Sequence, residues 1–157
     1  MGAGAKSDES YLQIGEAAER AQLTQRTLRY YEEKGLLQSP SRMDGGFRLY
    51  SADDLGRLER IKELRDLLGF SLAEIKEMLE AEDVKMQIRS EWRKDADAHE
   101  KAAKIRVARD VTLNQLALLN EKMAKMATMH DELAERIGKY DNWLLQWTED
   151  RAPVGAS

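Results

Sequence analysis

Cysteine is absent from the 157 residues, which at once excludes disulfides, thiolate zinc or copper sites, iron–sulfur clusters and cysteine nucleophiles. Proline occurs only at Pro40 and Pro153, so long stretches are free of the strongest helix breaker. No apolar run approaches the roughly 20 residues of a membrane-spanning helix. The opening Met1-Gly2-Ala3-Gly4-Ala5-Lys6 lacks the apolar core of a signal peptide. The expected location is therefore cytoplasmic, with no membrane partner. Glycine-rich phosphate loops, the HExxH zinc word, a nucleophile elbow and paired histidine–carboxylate clusters are missing too, so neither enzyme chemistry nor a cofactor is expected.

The net charge is −4, from 25 basic and 29 acidic residues, and taken globally this speaks against a nucleic-acid binder. The local balance differs. Between Arg20 and Arg48 six basic residues (Arg20, Arg26, Arg29, Lys34, Arg42 and Arg48) face the three acids Glu32, Glu33 and Asp44, a balance of +3. A basic segment in an acidic chain points to a local anionic partner.

Apolar spacing at Ile14, Ala17, Ala18 and Ala21 predicts a first helix from about Ile14 to Ala21. Gln22-Leu23 then turns the chain into a second helix capped by Thr24 and ended by Gly35, a left-handed position. Two short helices joined this closely make a helix-turn-helix candidate. The periodicity next changes from helical to alternating around Asp44-Gly45, a primed-turn dipeptide, and predicts a short hairpin of Ser41–Met43 and Phe47–Leu49. Ser51 with Asp54, and Ser71 with Glu74, form capping boxes for two further helices separated by Gly69-Phe70. Beyond a polar stretch at Glu80–Glu91 lies a long heptad helix. Its seam runs through Ile105, Leu116, Leu119, Met123, Met126, His130, Leu133, Ile137, Tyr140, Leu144 and Trp147. A second copy of the chain is the simplest cover for such a stripe, which predicts a homodimer. Gly138 marks a break after which Tyr140–Trp147 would form a separate short helix.

This order of elements resembles the MerR family of bacterial transcription regulators, and the local words agree. Ile14-Gly15-Glu16-Ala17-Ala18 is similar to the family's opening helix, Arg26-Thr27-Leu28-Arg29-Tyr30-Tyr31-Glu32 to its recognition helix, and Gly35-Leu36-Leu37 to its exit. Gly46-Phe47-Arg48-Leu49-Tyr50 resembles the first wing. Leu64-Arg65 with Gly69-Phe70-Ser71-Leu72-Ala73-Glu74-Ile75 resembles the second wing and its following helix. The likeness covers about Tyr11 to Leu79. Phe47 stands where the family usually has Tyr, and Gln13 where a capping Ser or Thr is common.

The resemblance implies a mainly α fold, with a winged helix-turn-helix DNA-binding domain followed by a long antiparallel coiled-coil dimerisation helix. The expected divisions are a disordered arm over 1–10, the DNA-binding domain over 11–80, linker and coiled coil over 81–138, and a short aromatic tail over 139–157. It also implies that the dimer binds a palindromic promoter operator in double-stranded DNA and distorts it for RNA polymerase. Thr24, Gln25 and Arg26, at the start of the recognition helix, are placed for base edges and phosphates. Arg29 and Tyr30 are assigned to backbone oxygens, and Arg42, Phe47 and Arg48 to the flanking sugar-phosphate. Arg65 is assigned to the second wing. Tyr31 is expected to pack inward, and Arg20, Arg57 and Arg60 to be solvated surface. A competing class is a coiled-coil adaptor, or an architectural DNA-binding protein without an effector.

The remaining motifs are ambiguous by chemistry. Met123, Met126 and Met129 are spaced as thioether ligands for copper(I), but two of them are seam positions where Met is ordinary filler, so no metal is expected. His130, with His99 the only other histidine, interrupts the seam as a polar register marker. Trp92, Tyr140, Trp143 and Trp147 are a candidate wall for a small organic effector, against the alternative of a docking cap for the tail.

Overall fold

Side chains at the starts of helices set most of the boundaries. In the computed structural model, which describes residues 11–38 and 48–149, the order is β1 (Leu12–Gln13), α1 (Ile14–Ala21), α2 (Gln25–Glu33), β2 (Leu49–Tyr50), α3 (Ala52–Lys62), a π-helical turn (Glu63–Leu67), α4 (Leu72–Ser90) and α5 (Ala98–Glu149). The Thr24 hydroxyl accepts from the Thr27 N–H at 3.1 Å and starts α2. Ser51 and Asp54 close a reciprocal capping box at 3.2 and 2.9 Å, and Ser71 and Glu74 close another at 3.2 and 3.0 Å. At α1 the cap position is Gln13, whose side chain makes no such bond. That end is held by strand pairing, with Leu12 opposite Tyr50 and Gln13 opposite Leu49 in an antiparallel ladder.

Helices α1 and α2 end in the same way. Leu23 N–H reaches the Ala18 carbonyl at 2.9 Å and Gln22 N–H the Glu19 carbonyl at 3.1 Å; Leu36 and Gly35 repeat the pattern onto Tyr31 and Glu32 at 2.9 and 3.0 Å. Each ending places one residue in the left-handed region, Gln22 at φ 56° and Gly35 at φ 75°. Replacing Gly35 by alanine is expected to cost about 1 kcal/mol. The added Cβ would stand 3.5 Å from Lys76 Nζ, an ordinary contact, so the loss comes from backbone strain rather than collision. A urea melt of Gly35→Ala that matched the parent would contradict this.

The core of the first unit is built by Leu12, Ala17, Ala18, Ala21, Leu28, Tyr31, Leu36, Leu37, Tyr50, Leu58, Ile61, Leu64, Phe70, Ile75, Leu79 and Ala81. Polar ties lock its elements together. Lys62 Nζ donates to the Ala21 carbonyl at the end of α1 at 2.8 Å, a cation on the negative end of that helix. Arg57, read from sequence as solvated surface, instead donates to the Leu36 carbonyl at 2.5 Å and to Asp83 at 2.6 Å. Arg60 is part exposed and bonds Glu82 through Nε and Nη2 at 3.1 and 2.8 Å. The break between α3 and α4 falls at Gly69, φ 66°. There the Leu68 N–H reaches back five residues to Glu63 and the Phe70 N–H six to Leu64. The extra residue in this turn leaves Leu64 buried and Leu67 and Leu68 exposed.

Helix α4 runs on to Ser90 through the polar stretch that sequence alone read as a linker. The chain divides into one compact unit ending at Ala108 and another beginning at Arg109. Helix α5 has 52 residues and buries none of them. It passes through Gly138 without interruption, so the separate short helix expected for Tyr140–Trp147 does not form. Gly138 has open space around it, and one exposed glycine costs only about 1 kcal/mol against alanine, too little to break so long a helix. Among the described residues no helix is long and apolar enough to cross a membrane.

Candidate nucleic-acid interface

Helix α2 divides its residues between two faces. Leu28 and Tyr31, three apart, point into the core, and Gln25, Arg26, Arg29 and Tyr30 are exposed on the other side. With the Thr24 cap ahead of it, the first turn presents unbonded backbone N–H groups beside Gln25 and Arg26, a combination suited to bases and phosphates. The Thr24 hydroxyl itself is committed to the Thr27 N–H and to the Thr27 hydroxyl at 2.8 Å. Gln25 lies close to α1: a side chain at Gly15 would begin 3.5 Å from its Nε2. Lys34 Nζ stands 5.6 Å from the Tyr30 ring centroid, a cation–π contact on a residue that remains exposed.

Tyr31 is only 1% exposed, as the sequence reading expected. Its hydroxyl accepts from Arg65 Nη1. Burial raises its pKa, and the Arg65 charge opposes the rise. Arg65 also donates through Nε and Nη2 to the two oxygens of Asp66, at 2.8 and 3.3 Å, which holds the Asp66 carboxyl below its usual pKa. Arg65 is thus tied to Tyr31 of α2 and to its own turn.

Arg48 enters β2 with Nη1 2.5 Å from Glu32 Oε2 on α2; this nitrogen is buried, and the pair is not aligned as a hydrogen bond. The other oxygen of Glu32 accepts from the Tyr50 hydroxyl at 2.7 Å. Burial, and after it the Glu32 carboxylate, pushes the Tyr50 pKa far above its usual value. Sequence reasoning did not single out Glu32 or Tyr50 as site residues, although both lie inside the family-like words. Arg42 and Phe47, with most of the expected hairpin, lie outside the described residues, as do residues 1–10.

The seam residues Ile105, Leu116, Leu119, Met123, Met126, Leu133 and Ile137 are 38–64% exposed in the single chain. His130 is exposed among them, with Nδ1 3.1 Å from Asp131. Tyr140 and Trp143 pack ring on ring at 5.8 Å and 48°, and with Trp147 they remain exposed on α5 rather than folding back as a tail. Trp92 is exposed in the segment joining α4 and α5. Among the described residues no group of three or more His, Asp or Glu is arranged to hold a metal ion.

This geometry has counterparts. The MerR HTH family regulatory protein profile matches residues 12–82. The HTH-type transcriptional regulator YfmP of Bacillus subtilis (strain 168) is 34% identical over 129 residues, 82% of this chain and 92% of that protein. The chain belongs to the MerR family and is a DNA-binding transcription regulator. The solved N-terminus of MtaN, the Bacillus subtilis multidrug transporter activator, superposes with TM-score 0.51 at 28% identity, over 85% of this chain and 98% of that one. HiNmlR, a MerR family regulator lacking the sensor domain and bound to promoter DNA, gives TM-score 0.50 at 22% identity, over 92% and 95% of the two chains. At that identity the likeness speaks for the fold alone.

Proposed function

We propose that two copies of this chain pair along α5 as an antiparallel coiled coil, and that the dimer binds a palindromic promoter operator through one α2 from each copy. The observation that carries this reading is the uncovered seam, whose apolar side chains stay 38–64% exposed in one chain. A contiguous apolar stripe of this kind is stable in water only when covered, and a stripe of heptad spacing is covered best by another helix of the same spacing. Two-fold pairing of the protein then calls for two-fold symmetry in the DNA. Control follows from deformation: bending and untwisting an operator costs on the order of several kcal/mol, so binding and presentation of the promoter to RNA polymerase are separable steps. The exposed Tyr140, Trp143 and Trp147, with Trp92, support a small organic effector as the signal that joins those steps.

Selection from a randomised duplex library is the test. A two-fold symmetric consensus is expected; an asymmetric one, or none, would refute the reading. On the selected operator, Gln25→Ala is expected to lose roughly 1–3 kcal/mol of discrimination at one base pair in each half-site, because a first-turn glutamine faces base edges. Equal weakening on every sequence would reassign Gln25 to the DNA backbone.

A further inference from the structure

Glu32 is a carboxylate on the very helix that faces DNA, where simple electrostatics calls for none. Its side chain is 11% exposed, so the charge has lost most of its water, a cost that only close partners offset. Among the described residues two stand close: Tyr50 donates to one oxygen at 2.7 Å, and Arg48 stands 2.5 Å from the other. The Arg48 side chain nevertheless keeps 31% of its exposure. A guanidinium carries five N–H groups in a fixed fork, and the nitrogen of Arg48 paired with Glu32 is Nη1.

We propose that Glu32 is a positioning residue for DNA binding, holding the Arg48 guanidinium at Nη1 so that its remaining N–H groups can meet a DNA phosphate. This rests on the assignment of Arg48 to the sugar-phosphate backbone. A flexible arginine loses side-chain entropy when it meets a phosphate, and an arginine held in advance has already lost it. The buried Tyr50 hydroxyl, bonded to the same carboxylate, keeps Glu32 from swinging away from Arg48.

Charge alone and positioning predict opposite signs for one substitution. Glu32→Gln removes a negative charge near DNA yet preserves the shape and an oxygen that accepts from Tyr50. If the acid merely repels phosphate, the variant binds more tightly and with a steeper salt dependence. If it positions Arg48, the variant binds roughly threefold to tenfold more weakly, and the slope of log affinity against log salt falls by about one phosphate contact. The probe is a fluorescein-labelled 30-base-pair duplex of mixed sequence, titrated with the full chain by fluorescence anisotropy at several salt concentrations.

Arg48→Ala and the double variant are measured alongside, with a thermal melt of each protein. An unchanged salt slope for Arg48→Ala would overturn the phosphate role of Arg48 itself. A lowered slope for Arg48→Ala with an unchanged or raised one for Glu32→Gln would overturn only the positioning. In the Arg48→Ala background, Glu32→Gln is expected to cause no further loss of binding, whatever it does to the melt. A second loss as large as the first would mean that Glu32 acts through the fold and not through Arg48, and the proposal would fail.

Discussion

Leu119→Asp is expected to dissociate the proposed dimer and abolish binding to a palindromic operator, although every residue of the proposed DNA-facing surface is intact. By symmetry each dimer would carry two new charges in its seam, and an unpaired ion withdrawn from water costs several kcal/mol. A single half-site then holds the monomer only through its own contacts. The fold of the first unit provides the control, since its buried core is made of residues no later than Ala81 and its melt should be unchanged. Sedimentation velocity reads the outcome directly: a Leu119→Asp protein that still sediments as a dimer would show that the seam has been assigned to the wrong stripe of α5.

Leu28→Ala should be the most damaging conservative truncation on α2. Leu28 is 0% exposed, and removing a fully enclosed leucine costs about 2–5 kcal/mol through lost burial and the cavity left behind. For a domain of this size that lowers the melting temperature by at least about 10 °C. The exposed neighbours are untouched, so at low temperature the folded fraction should still bind DNA with the parental salt slope. A circular-dichroism melt within a degree or two of the parent would mean that Leu28 can be relieved by repacking and is not the anchor of α2.

What could be read in advance depended on how far apart the cooperating residues lie. The caps at Thr24, Ser51 and Ser71 each act on a backbone group three positions on, so a short word carries the whole interaction. Gly35 and Gly69 announce left-handed helix ends for the same local reason, whereas Gln22, at φ 56°, does so without the usual residue. The pairing of Leu12 with Tyr50 left no trace, because two-residue strands are too short for alternation to be counted. The π-helical turn at Glu63–Leu67 inserts a single residue, which no period registers. Polar residues over Glu80–Ser90 suit either a solvated helix or a linker, and only the packing of Leu79 and Ala81 beneath them decides. In the site, the inward Tyr31 and the outward Tyr30 were expected from the family resemblance. The triangle of Glu32, Arg48 and Tyr50 was not, since it joins residues 16 and 18 positions apart in sequence.

The two-faced layout of α2 also bears on how such a reader of DNA changes over generations. Leu28 and Tyr31 hold the helix in place, while Gln25, Arg26, Arg29 and Tyr30 stand clear of the core. Exchanges at solvent-facing helical positions usually shift stability by no more than about 0.5 kcal/mol. If Gln25 reads a base as proposed, it can be exchanged for a residue that prefers another base while the scaffold stays folded, so lineages carrying this helix can drift between target sites without passing through an unfolded ancestor. The exception is Glu32, which lies on the same helix but is bonded to Tyr50 and paired with Arg48: a change there would have to be answered from β2, and such correlated replacement is the mark to seek when related chains are compared.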